Sequence, residues 1–417
     1  MIPLAEVQAV IFGAVSTLEP IEVDLREAHG LVLAERVTAP EPVPPFPNTA
    51  MDGYAVRAAD TVGAAEGSPV RLRVVGELAA GHAPTVAVGD GEAIRIMTGA
   101  PMPDGADAIV MVERTERASG AGGDEGVLIT LAVEPGLHVR RAGGDLEAGD
   151  VVFEPGTVLT AARIGVLATV GARRVRAYPR VRVGVLSTGD ELVDAPIEAG
   201  PLEPGKIRDS NRPMLLAQLA DAGAEPLDLG AAHDDADLMT RTLVDAVAQC
   251  DAVITSGGVS VGDFDYVSDA LERIAADDAS GASRVDWYQV AIKPAKPLCI
   301  GMLRGTPVFG LPGNPVSSFV SFELFARPAL RMMMGHDRPF RRAVTATATE
   351  PMRRRVDGKL HLDRVVVDVV DGAYVATGVR SQESNALSAS AAANGLALLP
   401  DGEGVAAGAA VTVMLLE

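Results

Sequence analysis

The sequence predicts a multidomain protein of α/β and β structure, with a three-layer parallel α/β domain at its centre. The chain has 417 residues, and a single hydrophobic core stops growing near roughly 250 to 300 residues, so several domains are expected. Strand and helix patterns alternate from residue 179 to residue 328, which is typical of a parallel sheet covered by helices. On both sides of this segment, short alternating runs predict smaller β domains.

The N-terminal part is predicted to combine helices, a linker and a small β domain. An amphipathic helix is expected from Pro3 to Gly13, and the proline-rich stretch Pro40–Pro47 indicates a rigid extended linker. Residues 48–147 are rich in Gly and Val and contain alternating runs such as Val70–Val75, so they predict β structure. A further helix is expected over Ala161–Val170.

The central segment carries its polar motifs where predicted strands end. Strands are expected at residues 181–186, 227–229, 252–255 and 307–311, and helices at 213–222 and 236–249. Ligands of open parallel sheets bind beyond the carboxyl ends of the strands. Four motifs at such ends should therefore converge: residues 187–192, 233–235, 255–266 and 311–318. After residue 329, alternation at 345–349, 362–370 and 411–415 predicts a terminal β domain.

The stretch Thr255–Tyr266, TSGGVSVGDFDY, joins a glycine-rich loop to two carboxylates. Gly257 and Gly258 allow backbone N–H groups to approach an anion, as in phosphate-binding loops. Asp263 and Asp265 would repel a bare phosphate, and a bridging divalent cation such as Mg²⁺ would reconcile the two. A tight solvated turn with ordinary surface aspartates remains an alternative.

A second loop, Leu311–Ser318, also follows an apolar strand and precedes a helix. Pro312 stiffens the turn and Gly313 permits close backbone approach. Ser317 or Ser318 is expected to cap the helix, and capping alone would explain both serines.

Two of the four lysines lie between these loops, in the hexapeptide IKPAKP. The chain holds 32 arginines but lysine only at positions 206, 293, 296 and 359. Compact ammonium groups retained in an arginine-rich composition suggest neutralisation of phosphate. A solvated loop is the alternative.

Composition excludes several classes of protein. The net charge of −20 argues against general nucleic-acid binding, which requires a basic field. Cys250 and Cys299 lie in apolar contexts and are expected to be buried thiols. No apolar run reaches the roughly 18 residues of a membrane span, and no signal peptide is recognised, so a cytoplasmic location is expected.

Six motifs in order resemble the molybdopterin molybdenumtransferase (MoeA) family, which includes the E domain of gephyrin. They are MDGYA (51–55), MTGAP (97–101), STGDEL (187–192), TSGGVSVGDFDY (255–266), IKPAKP (292–297) and LPGNPVSSF (311–319). The resemblance implies an elongated discontinuous domain formed by residues 1–47 and 148–178, with residues 48–147 inserted into it. It also implies a molybdopterin-binding α/β domain over 179–328 and a C-terminal β domain over 329–417.

The resemblance implies an activity and a set of ligands. Such a protein receives adenylylated molybdopterin, releases AMP in a Mg²⁺-dependent step and places molybdate on the pterin dithiolate. It would be a cytoplasmic homodimer whose active cleft is shared between subunits, and contact with the molybdopterin adenylyltransferase is compatible with the family. Neither nucleic acid nor membrane is expected as a partner.

The resemblance also assigns candidate site residues. Those expected to take part in catalysis are Asp52, Thr98, Asp145, Glu191, Asp234 and Asp265. Those expected to bind the divalent metal are Asp190, Glu191, Asp234 and Asp265. Those expected to bind substrate are Ser187, Thr188, Gly189, Gly257, Gly258, Ser260, Lys293, Lys296, Pro312, Gly313, Asn314, Ser317, Arg364 and Ser388.

Each assignment has a structural alternative. Asp before Gly favours a turn, the Thr98 hydroxyl can be an ordinary strand hydroxyl, and Asp209–Asn211 can be only a helix cap. An exposed surface arginine and a helix-end serine are the corresponding alternatives for Arg364 and Ser388.

Two positions depart from the family pattern. Gln289 stands where many members have a basic residue, which would lose or move one phosphate contact. Ala295 stands where the motif usually has Gly, so the backbone should keep φ below zero or be strained.

Two other functions stay open: a scaffold or binding paralogue, and a molybdopterin adenylyltransferase, which would consume ATP. The sequence does not distinguish molybdate from tungstate.

Overall fold

The computed structural model describes residues 1–119, 125–194, 196, 200–232, 235–258, 266–279 and 281–416. The chain falls into two compact units, one made of residues 1–23, 30–34 and 176–417 and the other of residues 24–29 and 35–175. Cys250 and Cys299 are buried free thiols, as expected. In the described parts of the chain, no helix is both long enough and apolar enough to cross a bilayer.

The helices lie mainly in the first unit. In chain order they are α1 (Leu4–Ala14), α2 (Ala161–Thr169), α3 (Asn211–Ala222), α4 (Ala236–Gln249), α5 (Tyr266–Asp277), α6 (Pro315–Ser321), α7 (Arg327–Met333) and α8 (Leu387–Ala391). A π-helical turn, Phe322–Ala326, joins α6 to α7.

Strands up to residue 178 are short, apart from the nine-residue strand at Val70–Leu78. They are β1 (Ile21–Asp24), β2 (Val32–Leu33), β3 (Val37–Thr38), β4 (Asn48–Thr49), β5 (Gly53–Val56), β6 (Val70–Leu78), β7 (Glu92–Ile96), β8 (Ala108–Met111), β9 (Thr115–Ser119), β10 (Glu125–Ile129), β11 (Val139–Arg140), β12 (Val151–Phe153) and β13 (Arg174–Tyr178).

The remaining strands build two further sheets. They are β14 (Arg182–Thr188), β15 (Leu192–Val193), β16 (Ile207–Arg208), β17 (Glu225–Ala232), β18 (Ala252–Ser256), β19 (Arg284–Gln289), β20 (Ile292–Lys293), β21 (Pro297–Leu303), β22 (Thr306–Leu311), β23 (Ala343–Ala348), β24 (Met352–Arg353), β25 (Leu360–Val370), β26 (Ala373–Gly378), β27 (Gly395–Leu399), β28 (Gly404–Val405) and β29 (Ala410–Leu415).

The second unit contains a six-stranded sheet in the order β8-β5-β7-β6-β10-β9. Tyr54, Leu72, Val110 and Ile129 are among the buried side chains that form its core. These strands lie within residues 48–147, where the sequence predicts a small β domain. The domain boundaries themselves stay a prediction.

The first unit contains the expected three-layer α/β arrangement, in which strand residues alternate between the two faces. Ile254 packs in the core shared with α3, α6 and α7. Its neighbour Val253 packs on the opposite face with α4 and α5. The period of two along the strand therefore places one apolar set on each side of the sheet.

The sheet predicted to be parallel is antiparallel at one edge. The order is β17-β14-β18-β22-β21-β19; the first four strands are parallel to one another, but β21 and β19 run antiparallel. Only Arg304 and Gly305 separate β21 from β22, with φ of 50° and 89°. Positive φ at both positions is typical of a two-residue hairpin turn, which forces neighbouring strands to be antiparallel.

The C-terminal strands form the predicted β structure, closed upon itself. The order is β20-β25-β26-β23-β29-β27, and β25 also pairs with β27. The short strand β20 adds to the edge of β25, so that Lys293 stands opposite His361. This pairing brings the IKPAKP segment against the C-terminal sheet.

Candidate functional site

A cavity of about 380 Å³ lies at the carboxyl ends of β14, β18 and β22. This is where ligands of open parallel sheets bind. The cavity brings together three of the four strand-end loops that the sequence singled out, and residues 233 and 234 of the fourth lie outside the described residues. Its lining includes Thr188, Gly189, Glu191, Ser256, Gly257, Gly258, Pro312, Gly313 and Asn314.

Glycine is required where the loops meet. Gly257 has a φ of 95°, and a Cβ atom there would lie 2.8 Å from the Thr188 carbonyl oxygen. Gly258 has a φ of 68°, and a Cβ at Gly313 would come 3.7 Å from the Gly257 Cα. The walls at these points are bare backbone, which suits a bulky anionic group.

Asn211 fastens two of these loops together. Its Nδ2 donates to Ser256 Oγ at 2.8 Å and to the Gly313 carbonyl oxygen at 2.7 Å. Asp209, two residues earlier, accepts bonds from the backbone N–H groups of Asn211 and Arg212 at 3.1 Å. Sequence reasoning treated Asn211 only as part of a helix cap and missed this tie. A polar residue at the start of a helix facing two strand ends was the available signal.

Several buried polar atoms beside the cavity have no protein partner. Among the described residues, Ser187 Oγ, Thr255 Oγ1 and Asn211 Oδ1 accept or donate no hydrogen bond. Ser187 is fully buried and does not line the cavity, whereas Thr188 and Ser256 do. The structure therefore places the predicted residue Ser187 behind the wall.

The acidic candidates are only partly described. Glu191 lines the cavity, and the carbonyl oxygen of Asp190 accepts a bond from Lys206 Nζ at 2.6 Å. Asp234, Asp265 and Ser260 lie outside the described residues. Within the described ranges, no three His, Cys, Asp or Glu side chains are grouped closely enough to hold a metal ion.

A second cavity of about 710 Å³ lies between the IKPAKP segment and the C-terminal strands of the same unit. Pro297 lines both cavities. The second cavity is strongly basic, with its cationic side chains at positions Lys293, Lys296, Arg353, Arg354, Arg355 and Lys359. Ser317, Asp363 and residues 382–384 complete much of the wall.

The cations of this cavity divide into paired and unpaired groups. The side chain of Arg354 is fully buried and ion-paired to Asp357 and Asp401 at 2.9 and 2.7 Å, so it holds the loop in place. Lys359 pairs with Asp357. By contrast, four side chains make no ion pair or hydrogen bond with the described residues through their nitrogens: Lys293, Lys296, Arg353 and Arg355. These four groups are available to a ligand.

Arg364 is buried and holds a loop that lines the second cavity. Its guanidinium donates to the carbonyl oxygens of Ser381 and Glu383 at 3.0 and 3.2 Å, and burial lowers its pKa. The same group reaches Ser390 Oγ at 3.5 Å, while Ser388 is exposed on α8. Arg364 is therefore not the exposed surface residue of the alternative interpretation, and its serine partner is Ser390.

The prediction that Ser317 or Ser318 caps α6 is wrong. The N-cap position is Asn314, whose side chain makes no capping bond. Pro315 begins the helix because its fixed φ and missing N–H suit the first helical position. Both serines thus fall within the first turn, and Ser317 instead lines the second cavity.

The second unit holds the remaining candidates. Asp52 Oδ1 accepts two bonds from Thr98, one from the backbone N–H and one from Oγ1, each at 2.6 Å. These bonds lower the pKa of Asp52, the hydroxyl contributing most. Asp145 is exposed, and its N–H donates to the Val43 carbonyl oxygen at 2.9 Å.

Three family models match most of the chain. The MoeA N-terminal region (domains I and II) matches residues 2–171, a probable molybdopterin-binding domain matches 184–332, and the MoeA C-terminal region (domain IV) matches 346–416. The chain belongs to the MoeA family. The expected family and multidomain fold are thereby confirmed.

Relatives of this MoeA chain match along nearly its whole length. The molybdopterin molybdenumtransferase 2 of Mycobacterium tuberculosis is 42% identical over 400 residues, covering 95% of each chain. The molybdopterin molybdenumtransferase of Bacillus subtilis is 35% identical and covers 94% of this chain and 89% of its own. The crystal structure of the MoeA protein from Pyrococcus horikosii has a TM-score of 0.78 at 32% identity, covering 100% and 99%.

Proposed function

We propose that this protein is a molybdopterin molybdenumtransferase, which inserts molybdate into the dithiolate of adenylylated molybdopterin and releases AMP. The observation that carries the proposal is the pair of adjoining cavities that share Pro297. One has walls of bare glycine backbone, and the other has unpaired cations. The names of the relatives that match over 94 to 95% of the chain support the same activity.

The first cavity suits the phosphate end of the pterin substrate. Gly257, Gly258 and Gly313 allow a bulky anionic group to approach the backbone, as argued above. Asn211 keeps the two loops in register, so that the wall is formed before substrate arrives. A preformed wall lowers the cost of positioning the phosphoanhydride.

The second cavity suits molybdate, a tetrahedral dianion. Lys293 and Lys296 supply compact positive charges, and Arg355 adds a third. Arg364 positions the loop 381–384 that faces them. Ser317 adds a hydroxyl to the same wall. In this assignment Ser388 remains a sequence prediction.

The carboxylate set fits a hard divalent cation. Glu191 lies on the wall of a cavity otherwise suited to phosphate, and oxygen ligands shared between carboxylate and phosphate are what Mg²⁺ prefers. We assign Mg²⁺ to Asp190 and Glu191 together with Asp234 and Asp265. Bound there, Mg²⁺ would neutralise charge on the phosphoanhydride as AMP leaves.

The family resemblance supports three further assignments. Asp52, Thr98 and Asp145 are proposed to complete the active cleft of a second subunit in a homodimer. Contact with the molybdopterin adenylyltransferase would deliver the adenylylated substrate directly. The cytoplasmic location stays a prediction of the sequence.

The test is AMP release from adenylylated molybdopterin with Mg²⁺, measured with and without molybdate. The wild-type protein should release AMP faster with molybdate and form active cofactor in equal amount. Asp265→Asn should lose both by about 100-fold or more. Asp269→Asn, an exposed residue in the first turn of α5, is the matched control and should retain both. Tight substrate binding without turnover would indicate a scaffold, and ATP consumption would indicate an adenylyltransferase.

A further inference from the structure

Asp363 is an isolated carboxyl group in the wall of the basic second cavity. It lies on β25 and lines the cavity with Lys293, Lys296 and Arg355. With the described residues it forms no hydrogen bond or ion pair, unlike Asp357, which bonds His361 and Lys359. A carboxylate surrounded by cations would be expected to pair with one of them. The unpaired carboxyl group of Asp363 is therefore available to contact a ligand in the cavity.

The groups around Asp363 come from four elements. Its own strand contributes His361 and Arg364, and β20 contributes Lys293 opposite His361. The segment before the strand contributes Arg353, Arg354, Arg355 and Lys359, with Asp357 paired to Arg354 and Lys359. The loop 382–384 contributes the acidic Glu383. The neighbouring strand β27 places Ala397 opposite Asp363 and adds no charge there. Cationic groups therefore outnumber carboxylates around Asp363.

We propose that Asp363 is protonated when the cavity holds molybdate, so that its carboxyl donates a hydrogen bond to the dianion and binding is coupled to uptake of one proton. This inference rests on the proposed function, because it takes molybdate as the occupant of this cavity.

The chemistry of the two partners supports the proposal. Molybdate carries no proton near neutral pH, so every oxygen is an acceptor, and an ionised carboxylate beside it would be repelled. A protonated carboxyl removes that repulsion and supplies a donor. Burial already raises the pKa of Asp363, although His361, Arg364 and Lys293 act in the opposite direction. A bound dianion adds negative charge and raises this pKa further.

Proton uptake has a measurable consequence. When one proton enters with the ligand, the dissociation constant rises by up to about tenfold for each pH unit above the pKa of the free group. An asparagine at position 363 keeps a donor of similar shape but cannot titrate. Its affinity for molybdate should then be nearly independent of pH and exceed that of the wild type at high pH.

The experiment is isothermal titration calorimetry of the full chain with molybdate at several pH values between 6 and 8. At each pH the binding enthalpy is measured in two buffers of different ionisation enthalpy. Wild-type protein should take up a proton on binding, approaching one per site at the pH of greatest linkage. Asp363→Asn should take up none. Asp368→Asn, on the exposed end of the same strand, is the matched control and should behave as wild type.

His361 lines the same cavity and is hydrogen-bonded to Asp357, so it needs its own variant as a control. Retained proton uptake in His361→Gln together with its loss in Asp363→Asn supports the proposal. Loss in His361→Gln with retention in Asp363→Asn overturns it, as does molybdate binding by wild type without proton uptake. Absence of molybdate binding by wild type would instead refute the proposed occupant, and the inference with it.

Discussion

Asp52 and Thr98 are joined by two short hydrogen bonds onto a single carboxylate oxygen. The backbone N–H and the hydroxyl of Thr98 both donate to Asp52 Oδ1 at 2.6 Å, and the charged form of Asp52 is thereby favoured. These bonds link the MDGYA and MTGAP motifs. Strand β5 also pairs with β7, which ends directly before MTGAP, with Gly53 opposite Ile96.

Thr98→Val should raise the pKa of Asp52 toward its ordinary value, because the largest cause of the lowering is the Thr98 hydroxyl. If the reaction needs ionised Asp52, the acidic limb of the pH–rate profile of AMP release should move to higher pH. The maximal rate should fall by up to about tenfold, as for one hydrogen bond. Thr98→Ser keeps the hydroxyl and should leave the profile in place. An identical shift in Thr98→Ser would contradict this explanation.

Asn211→Leu should loosen the wall of the first cavity. It removes the bonds to Ser256 and Gly313 and leaves their buried oxygens without this donor, at a cost of about 1 to 3 kcal/mol in the free energy of unfolding. Substrate binding should weaken as well, because the two loops lose their register. Denaturation in urea and the KM for adenylylated molybdopterin measure the two effects.

Ser210→Ala is the neighbouring control for Asn211→Leu, because the Ser210 side chain makes no capping bond. It should change stability by less than about 0.5 kcal/mol. Equal effects of the two substitutions would show that stability depends on the start of α3 and not on the Asn211 hydrogen bonds to Ser256 and Gly313.

Ala295→Gly should stabilise the protein. Ala295 has a φ of 75°, a conformation that costs a non-glycine residue about 1 to 2 kcal/mol. Loss of the buried methyl group of Ala295 costs about 0.8 kcal/mol. The free energy of unfolding is therefore expected to rise by up to about 1 kcal/mol. Ala291→Gly, in the same segment but without positive φ, should be destabilising by about 0.5 to 1 kcal/mol. A thermal shift in the same direction for both variants would contradict the assignment of strain.

Acid should weaken the first unit through His336. Burial, followed by the nearby Arg331 and Arg327, lowers the pKa of His336 from 6.5 to about 4. Between pH 6.5 and pH 4 the unfolded chain binds a proton at His336 that the folded chain does not. The contribution of His336 to the free energy of unfolding is therefore fully present above pH 6.5 and is lost as the pH falls toward 4. The loss from this group at pH 5 is at most about 2 kcal/mol.

Urea denaturation followed by the fluorescence of Trp287, the only tryptophan, measures this effect in the first unit. The difference between wild type and His336→Gln isolates the histidine from titrating carboxylates. That difference should shrink as the pH falls from 7.5 to 5, because the wild type loses stability that the variant never gained from this group. A constant difference across this range would refute the linkage.

Patterns of period 2 and 3.6 were sufficient to locate most elements of the first unit. Helix α4 was predicted at 236–249 and found at Ala236–Gln249, because its apolar stripe and the Asp235 cap agree with the local preference. The antiparallel edge was missed because the prediction followed strand–helix alternation and gave no weight to the Arg304–Gly305 turn.

The site was harder to predict than the fold. The loops after β14, β18 and β22 converge, because the carboxyl ends of parallel strands meet at the same edge of a sheet. Asn211, however, acts through contacts 45 and 102 residues away in sequence, which no local pattern encodes. Likewise, the serine that contacts the buried Arg364 is Ser390, because only the folded loop decides which hydroxyl faces inward. The proposed role of Ser388 stays a prediction.

Pro297 lines both cavities, so in the proposed assignment the pterin and molybdate sites share one wall residue. A ligand that displaces the Pro297 ring in one cavity changes the volume of the other cavity. The affinities for pterin and oxyanion should therefore be linked. Thermodynamic reciprocity then requires that molybdate alter pterin affinity by the same factor as pterin alters molybdate affinity.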